Sequence, residues 1–282
     1  MKLERICINY MDKCNMKCPY CFNLFIKEKP NTKKTRELLN KCKDLNIKVV
    51  SFGGGDPFIY DETIDILDFA YLLGFEIHVD TNCQFLTKDK LDKLDSRISL
   101  LGIPLDGSNA IIHNLMRTNP GNYELIIEKL ELLRSYHIPI KINTVVSRIN
   151  SFDILNIKNI LTNYKIKIWS LYQFWPLNVS DETQRLYQIS DTDFAKVCNT
   201  NLLLDDYFII EINPYKMRYQ TSLFTSPNGL LYIHDPTNIK KYSFIGSIFE
   251  NDLQSLLIKN NIITTIRREV KVRYYSFNCE KT

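Results

Sequence analysis

The chain has 282 residues, of which 45% are hydrophobic and 24% charged, and its formal net charge is +4. This composition is ordinary for a soluble globular protein, and so small a net charge does not indicate nucleic-acid binding. The sequence has no run of about eighteen apolar residues that could cross a membrane. The charged start MKLERICINYMDKC lacks the apolar core of a secretory signal. We therefore expect a cytoplasmic protein without a membrane or nucleic-acid partner.

Strand-like and helix-like patterns alternate through the first 175 residues. Alternating or β-branched runs predict strands at residues 6–10, 48–52, 76–80, 98–105, 138–146 and 166–174. Helical periodicity predicts helices at residues 35–43, 62–73, 88–94, 123–136 and 152–163. Strands separated by helices imply βαβ units and a parallel sheet. The predicted fold is therefore α/β, an open partial (β/α)6 TIM-like barrel over residues 1–175, which binds ligands at the carboxyl ends of its strands.

The pattern changes after residue 175, and residues 176–282 are predicted to form a small α+β extension. A helix is expected at 191–204 and strands at 207–212, 221–224 and 230–233. The turn Ser226-Pro227-Asn228-Gly229 joins the last two strands into a β-hairpin, and a helix follows within residues 245–257. The basic residues near the C-terminus are most simply a solvated face, with a phosphate-bearing partner as the alternative: Arg267, Arg268, Lys271 and Arg273.

Three cysteines, Cys14, Cys18 and Cys21, lie in the run CNMKCPYC after the first predicted strand. Three neighbouring thiolates can hold an iron–sulfur cluster, but a cubane has four irons, so one iron would stay open to another ligand. A structural zinc site is an alternative, but it needs four Cys or His ligands and no second CxxC-like half is present. A chance group of buried thiols is a third interpretation, expected in about one such chain in a hundred.

The run CNMKCPYC matches the CxxxCxΦC signature, in which Φ is aromatic and is here Tyr20, so the chain resembles the radical S-adenosylmethionine (radical SAM) superfamily. The resemblance implies that Cys14, Cys18 and Cys21 bind a [4Fe–4S] cluster whose open iron is chelated by SAM. It also implies reductive cleavage of SAM to a 5′-deoxyadenosyl radical, which takes a hydrogen atom from a substrate. The implied partner is a one-electron donor such as flavodoxin or ferredoxin.

Later segments carry the same resemblance and imply further contacts with SAM. The family's GGE motif falls on Gly54, Gly55 and Asp56, where the shorter Asp leaves more of the contact to backbone carbonyls. Asn82 ends the third strand, where relatives often read T-N-G and this chain has Cys83 in place of the glycine. The implied cofactor-binding residues are Tyr20, Gly54, Gly55, Asp56, Asn82, Asn143 for the ribose, Arg148 for the carboxylate and Leu171 beside the adenine.

Three residues are candidates for substrate contact, and no catalytic side chain is predicted. Lys141 alternates with Asn143, so both face the same side of a strand, and a lysine inside a barrel needs a partner such as a substrate anion. Asp106 and Arg117 lie in segments similar to the family's S-L-D-G and H-D-x-x-R-G loops, which implies substrate contact. A turn cap for Asp106 and a surface or helix-capping position for Arg117 are the alternatives.

Two subfamily resemblances point to different substrates. KINTVVSRIN followed by W-x-L-Y-Q is similar to viperin-like enzymes, which dehydrate a nucleoside triphosphate held by basic residues beside that tryptophan. Here Ile168 and Ser170 occupy those positions. The tail IGSIFENDLQSLL is similar to SPASM-type members, but only Cys279 follows it, so no auxiliary cluster is expected.

We therefore expect hydrogen abstraction from a peptide or a small biosynthetic intermediate. A viperin-like nucleotide-modifying enzyme is the alternative. A non-catalytic iron–sulfur or zinc-binding protein is an alternative of another class.

Overall fold

A computed structural model of the protein describes residues 3–11, 13–24, 29–199, 207–218 and 222–260. The basic residues from Arg267 to Arg273, Cys279 and the predicted helix beyond residue 199 lie outside the described residues. Within the described residues, no helix is both long and apolar enough to span a lipid bilayer.

Ten strands form one sheet in the described part of the chain. Their bounds are β1 Arg5–Met11, β2 Val49–Gly54, β3 Glu76–Asp80, β4 Leu100–Pro104, β5 Ile140–Val146, β6 Ile166–Gln173, β7 Ile209–Asn213, β8 Phe224–Thr225, β9 Leu230–His234 and β10 Tyr242–Ser247. The strand order is β10-β9-β8-β1-β2-β3-β4-β5-β6-β7. Strands β1 to β7 are parallel neighbours, which confirms the predicted α/β fold.

Helices cover the sheet along the chain. Their bounds are α1 Thr32–Asp44, α2 Thr63–Leu72, α3 Lys88–Leu94, α4 Ala110–Arg117, α5 Asn122–Leu133, α6 Ile154–Leu161, α7 Asp181–Tyr187, α8 Asp191–Asn199, α9 Tyr215–Arg218 and α10 Leu253–Lys259. Five of them confirm the helices predicted before residue 164, whereas α4 was not predicted. This helix has only eight residues, Ala110 to Arg117, and Asn109 caps its start by accepting from the Ile112 N–H.

The burial of apolar side chains distinguishes the two faces of the sheet. Along β5 buried and partly buried residues alternate, which gives the strand two different faces. Ile140, Ile142 and Val146 face the helices within one large apolar cluster, where they are at most 4% exposed. Each such burial contributes about 1.5–3 kcal/mol. The opposite face, which carries Lys141 and Asn143, is partly open to solvent and forms the inside of the barrel.

The C-terminal segment joins the same sheet at both edges. Strand β7 pairs in parallel with β6, and β8 pairs in parallel with β1. The predicted hairpin is confirmed as β8 and β9, with Gly229 at a positive φ of 86° in the turn. A third strand, β10, extends the hairpin. The division of the chain at residue 175 stays a prediction, because the sheet is continuous across it.

Candidate active site

The cysteine loop lies directly after β1, at the carboxyl edge of the parallel strands. Cys14, Cys18 and Cys21 are half-buried free thiols, and the Cys21 N–H donates to the Cys18 carbonyl over 3.1 Å. Burial, together with smaller contributions from negative charge on Cys18 and Cys14, raises the pKa of Cys21 to about 11. The three thiols are therefore near neighbours, and an unligated Cys21 stays protonated at neutral pH.

The donor set fits a cluster better than a single ion. Among the described residues, no three His, Cys, Asp or Glu side chains are gathered tightly enough to hold one metal ion. Zinc–thiolate bonds of about 2.3 Å would require such gathering. In an iron–sulfur cluster, by contrast, each thiolate ligates a different iron. Three thiols from one loop, with no fourth Cys or His ligand in the motif, are a donor set that fits the second arrangement.

Backbone contacts bind the glycine-rich turn to the cysteine loop. The N–H groups of Gly55 and Asp56 donate to the carbonyls of Met11 and Lys13, each over 3.1 Å. A Cβ atom at Gly55 would lie 1.5 Å from the Lys13 carbonyl oxygen, so only glycine fits there. The absence of a side chain therefore lets the end of β2 support the cysteine loop directly.

We expect Gly55→Ala to lower the free energy of unfolding by about 1–3 kcal/mol, because the new methyl group overlaps the Lys13 backbone. The variant should also bind less iron after reconstitution, since the cysteine loop must move. Urea unfolding and iron analysis measure both effects. The matched control is Gly53→Ala, because a Cβ there meets nothing within 4 Å; equal losses in the two variants would contradict the steric explanation.

Asp56 is fully buried and its carboxylate accepts three internal hydrogen bonds. The donors are the Thr81 hydroxyl at 2.8 Å, the Asn82 N–H at 2.7 Å and the Phe58 N–H at 3.0 Å. Burial nevertheless raises the pKa of Asp56 above its ordinary value. Asp56 thus joins the ends of β2 and β3. Its predicted contact with SAM stays a prediction.

Asn82 connects β3 to the cysteine loop. Its amide nitrogen donates to the Asn15 side-chain oxygen over 2.9 Å and lies 3.5 Å from the Cys14 sulfur. Its own oxygen accepts from the Gln84 N–H over 3.0 Å. The structure therefore brings Asn82 together with the cysteines, as the sequence predicted from the ends of neighbouring strands.

A buried charged network lies beneath the cysteine loop. The Tyr20 hydroxyl donates to Asp106 over 2.5 Å, and Arg117 contacts the same carboxylate oxygen at 3.0 Å. Arg117 also donates to the Tyr20 oxygen over 2.9 Å. The other Asp106 oxygen accepts from the Val145 N–H on β5 over 2.8 Å. Asp106 and Arg117, predicted as substrate ligands, are thus engaged with one another and with the aromatic residue of the cysteine motif.

His113 on α4 completes this network in its neutral form. Its Nδ1 accepts from the Asp106 N–H over 3.1 Å, so Nε2 carries the proton and donates to Asn122 over 3.0 Å. Burial lowers the pKa of His113 to about 4. The imidazole therefore serves as a neutral link between α4, α5 and the end of β4.

Stability should fall between pH 6.5 and pH 5 by about 2 kcal/mol from His113 alone. In this range the unfolded chain protonates His113 while the folded protein does not, so protons favour unfolding. In His113→Gln this contribution disappears, although the variant is less stable at pH 7. Urea unfolding across this pH range tests the effect. An unchanged slope in His113→Gln would contradict the assignment.

Asn143 faces the inside of the barrel, as predicted from its alternation with Lys141. Its amide nitrogen donates to Asp80 on β3 over 2.8 Å. A Cβ atom at Gly102, on the strand between them, would lie 1.9 Å from the Asp80 oxygen and 2.8 Å from the Asn143 nitrogen. The Asn143 side-chain oxygen is buried and has no hydrogen-bond partner among the described atoms. Gly102 therefore leaves room for the hydrogen bond between Asp80 and Asn143, and the Asn143 oxygen remains an unused acceptor among the described atoms.

Lys141 has a protein partner that sequence reasoning missed. Its ammonium lies 3.1 Å from a carboxylate oxygen of Glu211 on β7, and the Ser170 hydroxyl donates to the same oxygen. Burial by itself would lower the pKa of Lys141, but Tyr172, Glu211 and Asp80 together raise it. The chain itself thus supplies, in Glu211, the anion that a buried lysine needs. Glu211 was detectable only as a charge inside the apolar run FIIEIN.

Leu171 and Arg148 take different positions from the other predicted cofactor ligands. Leu171 is fully buried and pairs in register with Thr144, on the face opposite Asn143. The Leu171 side chain therefore lies on the face away from Asn143, and only a contact of the Leu171 backbone with adenine stays a prediction. Arg148 is exposed after β5, where its N–H donates to the Tyr187 carbonyl over 3.2 Å. Its contact with the SAM carboxylate also stays a prediction.

The C-terminal segment contacts the cysteine loop from the other side. The Tyr242 hydroxyl donates to the Phe22 carbonyl over 2.9 Å, and Asn178 donates to the Asn23 carbonyl over 3.2 Å. The rings of Trp175 and His234 lie 4.2 Å apart between the end of β6 and β9. Because these contacts begin just after the third cysteine, the C-terminal strands help to position the loop.

Known proteins share both sequence and cofactor with this chain. The chain is 27% identical over 258 residues to an S-adenosylmethionine-dependent nucleotide dehydratase of Flammeovirga pacifica, covering 86% of each protein. It is 23% identical over 189 residues to an AdoMet-dependent heme synthase of Methanosarcina barkeri, covering 65% of this chain and 53% of the synthase. The chain thus spans about half the length of that relative.

Solved structures share the fold. SuiB of Streptococcus suis, solved with the precursor peptide SuiA, superposes with a TM-score of 0.72 at 17% identity, covering 94% of this chain and 67% of SuiB. The Radical SAM superfamily model matches residues 8–159, from the middle of β1 into α6. Because this match spans more than half of the chain and includes all three cysteines, the glycine-rich turn and Asn143, the protein belongs to the radical SAM superfamily, whose members use a [4Fe–4S] cluster and SAM.

Proposed function

We propose that this protein is a radical SAM enzyme that abstracts a hydrogen atom from a peptide or a small biosynthetic intermediate. The observation that carries the proposal is the support of the cysteine loop from three sides, by Gly55, by Asn82 and by the Tyr20–Asp106–Arg117 network. A loop that only stored a metal would not need a glycine-lined space and an unpartnered Asn143 acceptor beside it. A cytoplasmic location is part of the same proposal.

Different residues would bind the [4Fe–4S] cluster and SAM. Cys14, Cys18 and Cys21 would hold a [4Fe–4S] cluster, because the motif supplies three thiolates and leaves one iron open. The glycine run after β2 would present its carbonyls to the SAM ammonium group, and the Asn143 oxygen would accept from a ribose hydroxyl. When bound and reduced, the cluster supplies one electron to SAM, which then yields methionine and the 5′-deoxyadenosyl radical.

The protein's own residues orient the ligands and exclude water. Gly55 lets the Lys13 carbonyl lie against the end of β2, Gly102 leaves room for the hydrogen bond between Asp80 and Asn143, and Asp56 joins the ends of β2 and β3. We propose Asp106 and Arg117 as supports of the cysteine loop rather than as substrate ligands, since each is buried against the other. A one-electron donor such as flavodoxin or ferredoxin would reduce the cluster.

A nucleotide is the second candidate substrate. The observation that favours it is the similarity to the nucleotide dehydratase of Flammeovirga pacifica over 86% of both chains. The triphosphate-binding positions argue against it, because Ile168 and Ser170 flank Trp169 and neither carries a positive charge. The two candidate substrate classes differ in charge, so the charge of the barrel interior decides which of them can bind.

The test is anaerobic reconstitution with iron and sulfide, followed by reduction in the presence of SAM. We expect a bound [4Fe–4S] cluster and formation of 5′-deoxyadenosine. If the protein bound no cluster and retained zinc, this result would refute the whole proposal. A protein that forms a cluster but no 5′-deoxyadenosine, with each candidate substrate present, would refute the catalytic part and favour a non-catalytic iron–sulfur protein.

A further inference from the structure

The inside of the barrel carries a charged group that neither the cluster nor SAM explains. Lys141 and Ser170 on neighbouring strands β5 and β6 both contact the carboxylate of Glu211 on β7. The side chains of Lys141 and Glu211 are 17% and 8% exposed. Their contacts form a row across three parallel strands, in which Asn143, Ser170 and Glu211 are direct neighbours. This row extends from the proposed ribose ligand toward β7.

Negative charge predominates in this row. Lys141 is flanked by Glu211 on one side and by Asp80 on the other, and both carboxylates help to keep its ammonium protonated. Asp80 remains exposed although it lies on an inward-facing position of β3, so the interior is open to solvent. The row itself therefore holds two carboxylates and one ammonium.

The next positive group stands apart from the row. The Arg218 guanidinium lies over the rings of Tyr172 and Trp175, 5.2 Å from each centroid, and donates to the Gln173 carbonyl. Arg218 is therefore oriented by aromatic faces and a backbone oxygen at the end of β6. The ammonium of Lys141 also lies 5.5 Å from the Tyr172 centroid. Both cations thus lie near the Tyr172 ring, and Glu211 is the carboxylate that contacts Lys141 directly.

We propose that Glu211 makes this row a subsite for a positively charged substrate group, an amine or a guanidine, and closes it to polyphosphate. A polyphosphate would have to approach Lys141 against the Glu211 carboxylate, whose side chain is largely buried, and like charges at short range repel. An ammonium group would instead share Glu211 with Lys141 and Ser170. The inference rests on the proposed function, whose substrate class it narrows.

The experiment measures binding, not turnover, so its result is independent of SAM cleavage. Equilibrium dialysis is carried out on reconstituted protein with SAM present, using spermidine and CTP as probes of opposite charge. Wild-type protein should bind spermidine more tightly than CTP. In Glu211→Gln, spermidine affinity should fall at least about tenfold and CTP affinity rise at least about tenfold, each a change of about 1.4 kcal/mol.

Two further variants separate the charge of the row from the charge of the surface. Glu211→Gln combined with Lys141→Met removes the ammonium that Glu211→Gln alone would leave without its partner, so it should lose the gain in CTP binding while the loss of spermidine binding remains. Glu128→Gln, on the exposed face of α5, removes an equal charge from the surface and should leave both affinities unchanged. The same loss of spermidine binding in Glu128→Gln would show that the probe binds the surface and would overturn the proposal.

The remaining outcomes are also decisive. Equal CTP affinity in wild-type protein and Glu211→Gln would overturn the role of Glu211 in excluding phosphate. Absence of saturable binding of both probes to both proteins would overturn the subsite itself. If the protein makes no 5′-deoxyadenosine but the affinities change as expected, the proposed reaction fails while the charge preference of the interior stands.

Discussion

Replacing Cys18 by alanine is expected to reduce 5′-deoxyadenosine formation to the level of a protein-free control. A cluster held by three thiolates of one loop has no spare protein ligand, so the loss of one disrupts it. Cys18 is the central cysteine of the motif, and its carbonyl also accepts from the Cys21 N–H. Iron and sulfide content should fall together with activity. Anaerobic chromatography of the reaction products, with iron analysis of the same sample, measures both.

The fold should survive this substitution. The Cys18 side chain lies in a small apolar group with Tyr20 and Phe174, outside the main core. Circular dichroism of Cys18→Ala should therefore match that of the wild-type protein without its cluster. Collapse of the fold on loss of one thiol would instead indicate a structural metal, because such domains unfold without it. That result would favour the zinc-binding alternative.

Cys42→Ala is the matched control. Cys42 is a fully buried thiol on α1, and its burial raises the pKa to about 12, so it is an unreactive core residue. Its replacement should cost some stability because it leaves a small cavity. Iron content and 5′-deoxyadenosine formation should remain at wild-type levels. If Cys42→Ala lost the cluster as Cys18→Ala does, the assignment of the ligands to the motif would be wrong.

The parts of the site that sequence predicted are local ones. Cys14, Cys18 and Cys21 fall within one loop, and strand alternation alone indicated that Lys141 and Asn143 share a face. The same alternation places Leu171 on the other face once the register of β5 and β6 is known. The sequence of a strand does not determine its register with the neighbouring strand. The sequence alone therefore could not show that the Leu171 side chain lies outside the barrel interior.

Partners distant in sequence could not be predicted. Glu211 and Lys141 are brought together by β7, an edge strand outside the six predicted for the barrel. The pairing of Asp106 with Arg117 depends on α4, which the sequence did not indicate. For Lys141 the sequence argument recognised a charge inside the barrel that needs a partner, whereas Asp106 and Arg117 were assigned only from their resemblance to family loops. The sequence assigned that role to a substrate, whereas the fold supplies it within the chain.

The pairing of Asp106 with Arg117 leads to the second large effect. Arg117→Met should lower the free energy of unfolding by about 3–5 kcal/mol, because it leaves the Asp106 carboxylate buried without its counter-charge. The side chains are 10% and 1% exposed, so water cannot replace the lost contact. Urea unfolding at pH 7 measures the loss. Arg97→Met, which removes a half-exposed ion pair with Asp68 at 2.8 Å, should cost less than about 1 kcal/mol.

A double variant separates lost charge from lost packing. Asp106→Asn combined with Arg117→Met removes both charges and should recover much of the stability lost in Arg117→Met alone. Cluster binding should not recover, since Arg117 also bonds the Tyr20 hydroxyl, and the adjacent Thr118 donates to the Lys17 carbonyl over 3.3 Å. Recovery of stability without recovery of iron would show that the pair orients the cysteine loop as well as stabilising the fold. Full recovery of both would restrict the pair to stability, and equal stability of the single and double variants would refute the buried-charge explanation.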